Sequence, residues 1–215
     1  MSFIKSFINP WRRKAPATKA TNPGSHLNSN STGSKPLNTV PKEDTTVRRY
    51  FHNEHGFQCY TTWFAHWGGW ISAGHCVSEA MDHTPDFVSD TCKSWPDGLD
   101  AAVAGCLVPK KRPAPPKSGQ KVFLKGYPAG SRTLETRQAL VYFERSPGQW
   151  IAHIKDPDEP VVTGMSGGPV IDAVTGEPVG IVITRNSPAD LNNDRDPDES
   201  ADFIALSAVW DALIK

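Results

Sequence analysis

The stretch Gly164-Met165-Ser166-Gly167-Gly168-Pro169-Val170-Ile171-Asp172 decides how this chain is read. A serine stands between glycines, and an apolar run that reads as a strand follows at once. Flanking glycines let the backbone turn so that its N–H groups converge where an anion can sit. A serine at such a point has the wiring of a nucleophile with its oxyanion hole. The weight of the motif depends on whether a base and an orienting carboxylate stand where they are needed.

Upstream lies Trp70-Ile71-Ser72-Ala73-Gly74-His75-Cys76-Val77, a histidine that follows a strand and two small residues. Further on, Leu99-Asp100-Ala101-Ala102-Val103 places an acid at the mouth of an apolar strand. A carboxylate there is costly to bury without a partner, and an imidazole N–H is a suitable one. A serine hydroxyl needs a base near neutral pH. His75, neutral near pH 7, takes that role, Asp100 fixes its tautomer, and the N–H groups of Gly164 and Ser166 bind the oxyanion. Asp97 is a rival orienter. Taken singly, the serine reads as a turn, the histidine as a satisfied polar group and Asp100 as a turn cap.

Chain order narrows the choice. All seven histidines (His26, His52, His55, His66, His75, His83 and His153) precede Ser166. The G-x-S-x-G elbow of α/β-hydrolases needs its histidine after the serine, so that arrangement is excluded. An Asp-His-Ser order needs an aspartate before His75; Asp44 alone qualifies, in a polar tail. The order His75, Asp100, Ser166 remains. His66, His83 and His153 have no motif around them.

In these three segments the chain resembles the chymotrypsin-like serine proteases. ISAGHC is similar to their TAAHC, LDAAV to their D-I-A-L, and GMSGGPV to their GDSGGP. The similarity extends over residues 47–215. It implies an all-β fold of two six-stranded antiparallel β-barrels packed face to face, with a short C-terminal helix and the triad in the cleft between barrels. It implies His75 as base, Asp100 as orienter, Ser166 as nucleophile, and Gly164 with Ser166 as oxyanion donors. It implies substrate contacts at Pro160, Thr163, Ile183, Thr184 and Arg185. Met165 stands where the family's zymogens carry an aspartate that pairs with a newly cut N-terminus, so activation by that salt bridge is not expected. In this the chain looks nearer to bacterial and viral members. Ile183-Thr184-Arg185 replaces the usual Ser-Trp-Gly of the substrate strand. Pro160 stands where trypsin-like enzymes hold their pocket acid, Arg185 favours an acidic substrate side chain, and the acidic 190–199 loop favours a basic one; no choice between them follows. The resemblance implies a serine endopeptidase acting on protein or peptide; the competing class is a catalytically inactive binding module on the same scaffold.

Around these segments the chain divides by composition. Its 215 residues carry 23 basic and 23 acidic side chains, and no global charge favours nucleic acid. Residues 1–45 hold seven Lys and Arg against two acids, and the rest holds sixteen against twenty-one. Residues 1–46 read as a disordered basic tail, residues 47–110 as the first barrel, 111–118 as a Pro-rich linker, and 119–215 as the second barrel plus helix. Within the tail, Phe3, Ile4, Phe7, Ile8 and Trp11 recur at helical spacing beside Arg12, Arg13 and Lys14, so membrane contact by residues 3–14 is an alternative. No cleavable signal and no membrane-spanning run are read, and localisation stays open. Strands are expected at Phe57–Phe64, Gly69–Ser72, Ala101–Val108, Lys121–Tyr127, Arg137–Phe143, Gln149–Ile154, Pro169–Ile171, Val179–Thr184 and Phe203–Leu206. Ser207 is read as the cap of a helix over Ala208–Ile214.

Cys59, Cys76, Cys92 and Cys106 allow three pairings. The family often bridges two cysteines across the histidine loop at nearly the spacing of Cys59 and Cys76, so the resemblance implies a Cys59–Cys76 disulfide. Cys92 and Cys106, flanking Asp100, are a second candidate pair. No C-x-x-C occurs, and no metal or cofactor is expected. Asp190, Asn192, Asp194, Asp196 and Asp198 loosely follow a calcium loop, but Arg195 replaces its turn glycine and Ala201 its bidentate acid. A solvated acidic loop is the plainer reading. The chain is expected to act as a monomer.

Overall fold

A computed structural model describes residues 45–52, 58–78, 92–129, 131–186 and 198–215. All of these fall in one compact unit, Pro36–Lys215. The expectations for the 1–44 tail, for membrane contact by residues 3–14 and for calcium at 190–197 lie outside the described residues.

The N-terminal strands are β1 (Thr46–His52), β2 (Gln58–His66), β3 (Gly69–Ser72), β4 (Lys93–Ser94) and β5 (Ala102–Ala104). They form an antiparallel sheet in the order β1-β2-β3-β5-β4. The β2–β3 hairpin closes on two residues, Trp67 (φ 54°) and Gly68 (φ 72°), between the pair His66 and Gly69. Positive φ at both central positions is the turn whose twist matches the flanking strands. Helix α1 (His75–Ser78) follows β3 after two residues.

The remaining strands are β6 (Lys121–Gly126), β7 (Glu135–Ser146), β8 (Gln149–Ile154), β9 (Pro169–Asp172), β10 (Pro178–Arg185) and β11 (Ser200–Ala205). They close into a barrel in the order β10-β11-β8-β7-β6-β9. Alternation builds it: on β6, Val122 and Leu124 are buried while Lys121 is exposed, and on β7, Ala139 and Val141 are buried while Gln138 and Leu140 are exposed. The expected all-β architecture is present. Its six-stranded barrel stands in the C-terminal half; the N-terminal half forms a five-stranded sheet among the described residues.

Two buried clusters position the site. One fills the barrel and includes Leu124, Val161, Met165, Val182, Ala201 and Phe203. The other joins Phe64 and Ile71 of the first sheet to Ile181, Ile183 and Ile204 of the barrel and Val209 of helix α2 (Leu206–Leu213). Trp210 and Leu213 pack against it. The expected cap is corrected: the residue before the helix is Ala205, and Ser207 is buried within the first turn. The helix starts directly from β11 because Leu206 is itself fully buried in the core, which leaves no loop for a cap. Residues 105–120, without strand, link the two sheets and are fastened to α2: Trp210 Nε1 donates to the Pro109 carbonyl at 2.7 Å, and Arg112 makes two hydrogen bonds to Asp211.

Met165 is 0% exposed in the barrel cluster, so its site has no place for a charge. Met165→Asp is expected to destabilise the fold by about 3–5 kcal/mol, as an unpaired buried charge does. Met165→Leu should cost less than about 1.5 kcal/mol. Urea denaturation checks both, and equal midpoints for the two variants would refute this account of Met165.

Candidate active site

His75 opens α1, where the short turn after β3 is closed by Cys76 N–H to the Ala73 carbonyl (3.2 Å) and Val77 N–H to the Gly74 carbonyl (3.0 Å). Asp100 stands just before β5, the neighbour of β3. Its carboxylate takes two hydrogen bonds from His75, the backbone N–H on Oδ1 and Nδ1 on Oδ2, each at 2.8 Å. With Nδ1 engaged as donor, Nε2 is the ring atom left to exchange a proton with solvent or substrate. The side chains are 42% and 18% exposed respectively. Asp97 instead forms a surface ion pair with Lys215.

Burial disfavours the imidazolium, but the Asp100 hydrogen bond, the Cys76 contact and the charges of both outweigh it and raise the His75 pKa from 6.5 to about 10. These contacts favour the imidazolium over the neutral ring. Its contribution to stability is fully present below pH 6.5 and is lost as pH rises through about 10.

Ser166 lies in the loop that enters β9. Gly164 (φ 96°) and Gly167 (φ 85°) hold backbone that side chains rarely adopt. The Thr163 carbonyl accepts the Ala129 N–H at 2.7 Å, and this peptide is trans. The Gly164 N–H, on the opposite edge of the same peptide, therefore points away from Ala129. Among the described residues neither the Gly164 nor the Ser166 N–H has a hydrogen-bond partner.

The first sheet clamps this loop. Thr62 on β2 is 0% exposed. Its N–H donates to the Ser166 carbonyl (3.0 Å), and its Oγ1 donates to the Gly164 carbonyl (2.8 Å) and accepts the Tyr127 N–H (2.9 Å). Its own carbonyl accepts Ser72 Oγ at 2.8 Å. A Cβ on Gly167 would collide with Ser72 Oγ and the Thr62 carbonyl. Neither Thr62 nor Ser72 is given a role by the sequence motifs; the signal was a set of three hydroxyls, Thr61, Thr62 and Ser72, on two strands otherwise apolar at their buried positions.

Ser166 Oγ donates to the Ile183 carbonyl at 2.7 Å, and among the described residues no hydrogen bond joins it to His75. The other expected substrate contacts belong to two segments. On one, the Pro160 carbonyl accepts Arg137 Nε (3.1 Å) and Thr163 precedes Gly164. On the other, Thr184 is exposed and Arg185 is paired with Glu199, a residue no sequence signal distinguished within its acidic segment.

The expected Cys59–Cys76 disulfide is absent, as is any bond between Cys92 and Cys106. Cys76 Sγ lies 3.9 Å from the Ser166 carbonyl, which on β2 meets the Thr62 N–H and also Thr61 Oγ1, the latter at 3.2 Å. Cys59 stands two residues further along the strand, about 6–7 Å away on the same face. Spacing along the chain missed this register. Cys106 Sγ points to the carbonyls of Trp70 and His66, at 3.5 and 3.6 Å.

No protein-family model and no curated protein matches the chain. Solved structures do. The Rv3671c protease of M. tuberculosis, in its active form, superposes with a TM-score of 0.55 at 19% identity, covering 80% of this chain and 81% of that one. Human heparin binding protein gives 0.56 at 12% identity over 84% and 92%. A tobacco etch virus protease variant gives 0.50 at 13% identity over 81% and 78%. One closed barrel, a second antiparallel sheet and a C-terminal helix, in an arrangement shared with these molecules, give this chain the fold of the chymotrypsin-like serine proteases.

Proposed function

We propose that this chain is a serine endopeptidase that works through an acyl-enzyme on Ser166. The observation that carries the reading is the two-point grip of Asp100 on His75, in a fold that also presents Ser166 beside two unengaged N–H donors. Ser166 Oγ would leave the Ile183 carbonyl by rotation about χ1 and attack the substrate carbonyl carbon as its proton passes to His75 Nε2. That step requires the neutral ring. The oxyanion forms between the Gly164 and Ser166 N–H groups, where each donor is worth roughly 3–4 kcal/mol. As the C–N bond breaks, His75 returns the proton to the leaving amine. Water then gives its proton to His75 while its oxygen attacks the acyl carbon, and Ser166 regains its hydrogen on release. Asp100 stays ionised and holds the ring.

The second reading, a binding module without catalysis, draws on two observations. The resting serine hydroxyl is engaged with Ile183, and a protein named for binding heparin has the same fold. A fluorophosphonate probe separates the readings: covalent labelling of the wild type but not of Ser166→Ala is expected, and folded wild type that resists labelling would sink the enzyme.

Two further outcomes follow from the geometry. The neutral fraction of His75 grows as pH approaches 10, so the labelling rate should climb from pH 7 toward pH 10. Asp100→Asn, which removes the largest upward contribution, should move this limb to lower pH while lowering its plateau. A wild-type rate already flat at pH 7.5 would contradict the assignment. Thr62→Val leaves the Gly164 carbonyl and Tyr127 N–H unpaired, at about 1–3 kcal/mol each. Maximal labelling rate should fall by roughly tenfold or more in a protein that still folds, and Thr62→Ser should recover most of it. Equal rates for Thr62→Val and Thr62→Ser would remove Thr62 from the role of positioning residue.

A further inference from the structure

Beside Ser166 lies an ion pair that the acyl-transfer steps leave unused. Arg185 Nε is 2.9 and 3.0 Å from the two oxygens of Glu199, and Nη2 is 2.8 Å from the second. The Glu199 side chain is 0% exposed and that of Arg185 26%. The pair is placed by strand register. Arg185 stands opposite Ala201, and opposed residues project to the same face of a sheet. Ala201 packs in one cluster with Val161 and Met165, on the loop that leads to Ser166. The β9–β10 ladder ends at Ile181, and Val182 is paired with Gly168, so beyond Ile183 that edge of β10 carries no strand among the described residues. An extended peptide added along Thr184 and Arg185 brings its carbonyl to Ser166 and turns a side chain toward the face Arg185 occupies.

Resting on the endopeptidase reading, we infer that Arg185, held by buried Glu199, selects an acidic side chain on the acyl side of the scissile bond. In sequence the arginine and the acidic loop point to opposite substrates. In the folded chain the Glu199 carboxylate has no exposed surface, and three short contacts commit it to Arg185, so a basic substrate side chain cannot reach it. What a substrate meets is the guanidinium. An incoming carboxylate gains a charge-assisted hydrogen bond to a cation already fixed in place, and a lysine or arginine meets a like charge. Glu199 supplies rigidity and neutralises the empty site.

The test digests a peptide library of mixed sequence with the whole chain, reads cleavage sites by mass spectrometry, and labels the same preparation with a fluorophosphonate. Glu and Asp should dominate the acyl-side position. On matched synthetic peptides, the kcat/KM ratio of the Glu to the Ala substrate should fall about tenfold or more in Arg185→Gln. Because that variant strands a buried carboxylate, the double variant Arg185→Gln with Glu199→Gln, a neutral pair of similar shape, should show the same loss in a protein whose circular dichroism matches the wild type. A labelled wild type that cleaves mainly after neutral or basic residues, or cleaves nothing in the library, overturns the specificity alone. So does a double variant that keeps the acidic preference. A folded wild type that neither labels nor cleaves overturns the endopeptidase reading, and this inference falls with it.

Discussion

The peptide groups of the Val162–Gly168 loop lie between two sheets, where an unpaired N–H or C=O costs about 1–3 kcal/mol. This segment has no ladder of its own, and apart from the Met165 N–H to Val162 and the Gly168 N–H to Met165 its partners come from elsewhere. Thr62 of β2 takes two of its carbonyls, Ala129 takes a third, and β10 pairs with Gly167 and Gly168 through Val182. A domain is stable by only about 5–15 kcal/mol in total. Two or three failed pairings here would therefore threaten the fold as well as the position of Ser166. The loop is thus built with few degrees of freedom: glycine where φ is positive, a buried methionine as anchor, and a hydroxyl-bearing strand as cradle. The Gly164 and Ser166 N–H groups stay outside this scheme.

Charge is managed with the same economy. Glu199 and Asp202 are buried carboxylates, and each has an arginine, Arg185 and Arg145 respectively. Asp202 also takes hydrogen bonds from Gln149 and Asn186. Buried ions persist when paired and fully hydrogen-bonded. The Asp100–His75 pair differs in being more open, with the histidine ring 42% exposed. An open ring can exchange a proton, whereas in the Arg185–Glu199 pair the carboxylate is wholly buried.

Local signals carried much of the fold. Two strands close to Gln58–His66 and Gly69–Ser72 were readable because short apolar runs stand there in one short window. The strands of the barrel were readable for the same reason, and their boundaries moved by only a few residues. Strands β1 and β4 were not anticipated. Thr46–His52 adjoins a polar tail and carries two arginines, and Lys93–Ser94 has only two residues, both exposed, so neither displays an apolar period. The helix cap failed because a serine beside an apolar run looks the same whether it precedes the first turn or sits inside it.

The chain order of His75, Asp100 and Ser166, with glycines around the serine, already excluded the competing hydrolase arrangements, because that evidence is one-dimensional. Met165 was likewise legible, since a methionine cannot make an aspartate's ion pair. What the sequence could not determine depends on register between strands far apart in the chain. Thr61, not Cys59, shares the Ser166 carbonyl with Cys76, since a shift of two residues along β2 is invisible to spacing. Thr62 reaches Gly164 across 102 positions. Glu199 is removed from the acidic loop's charge by burial against Arg185. Residue type and order are written in the chain, but which polar groups are desolvated together is decided only when the sheets close, because burial is a property of all the strands at once.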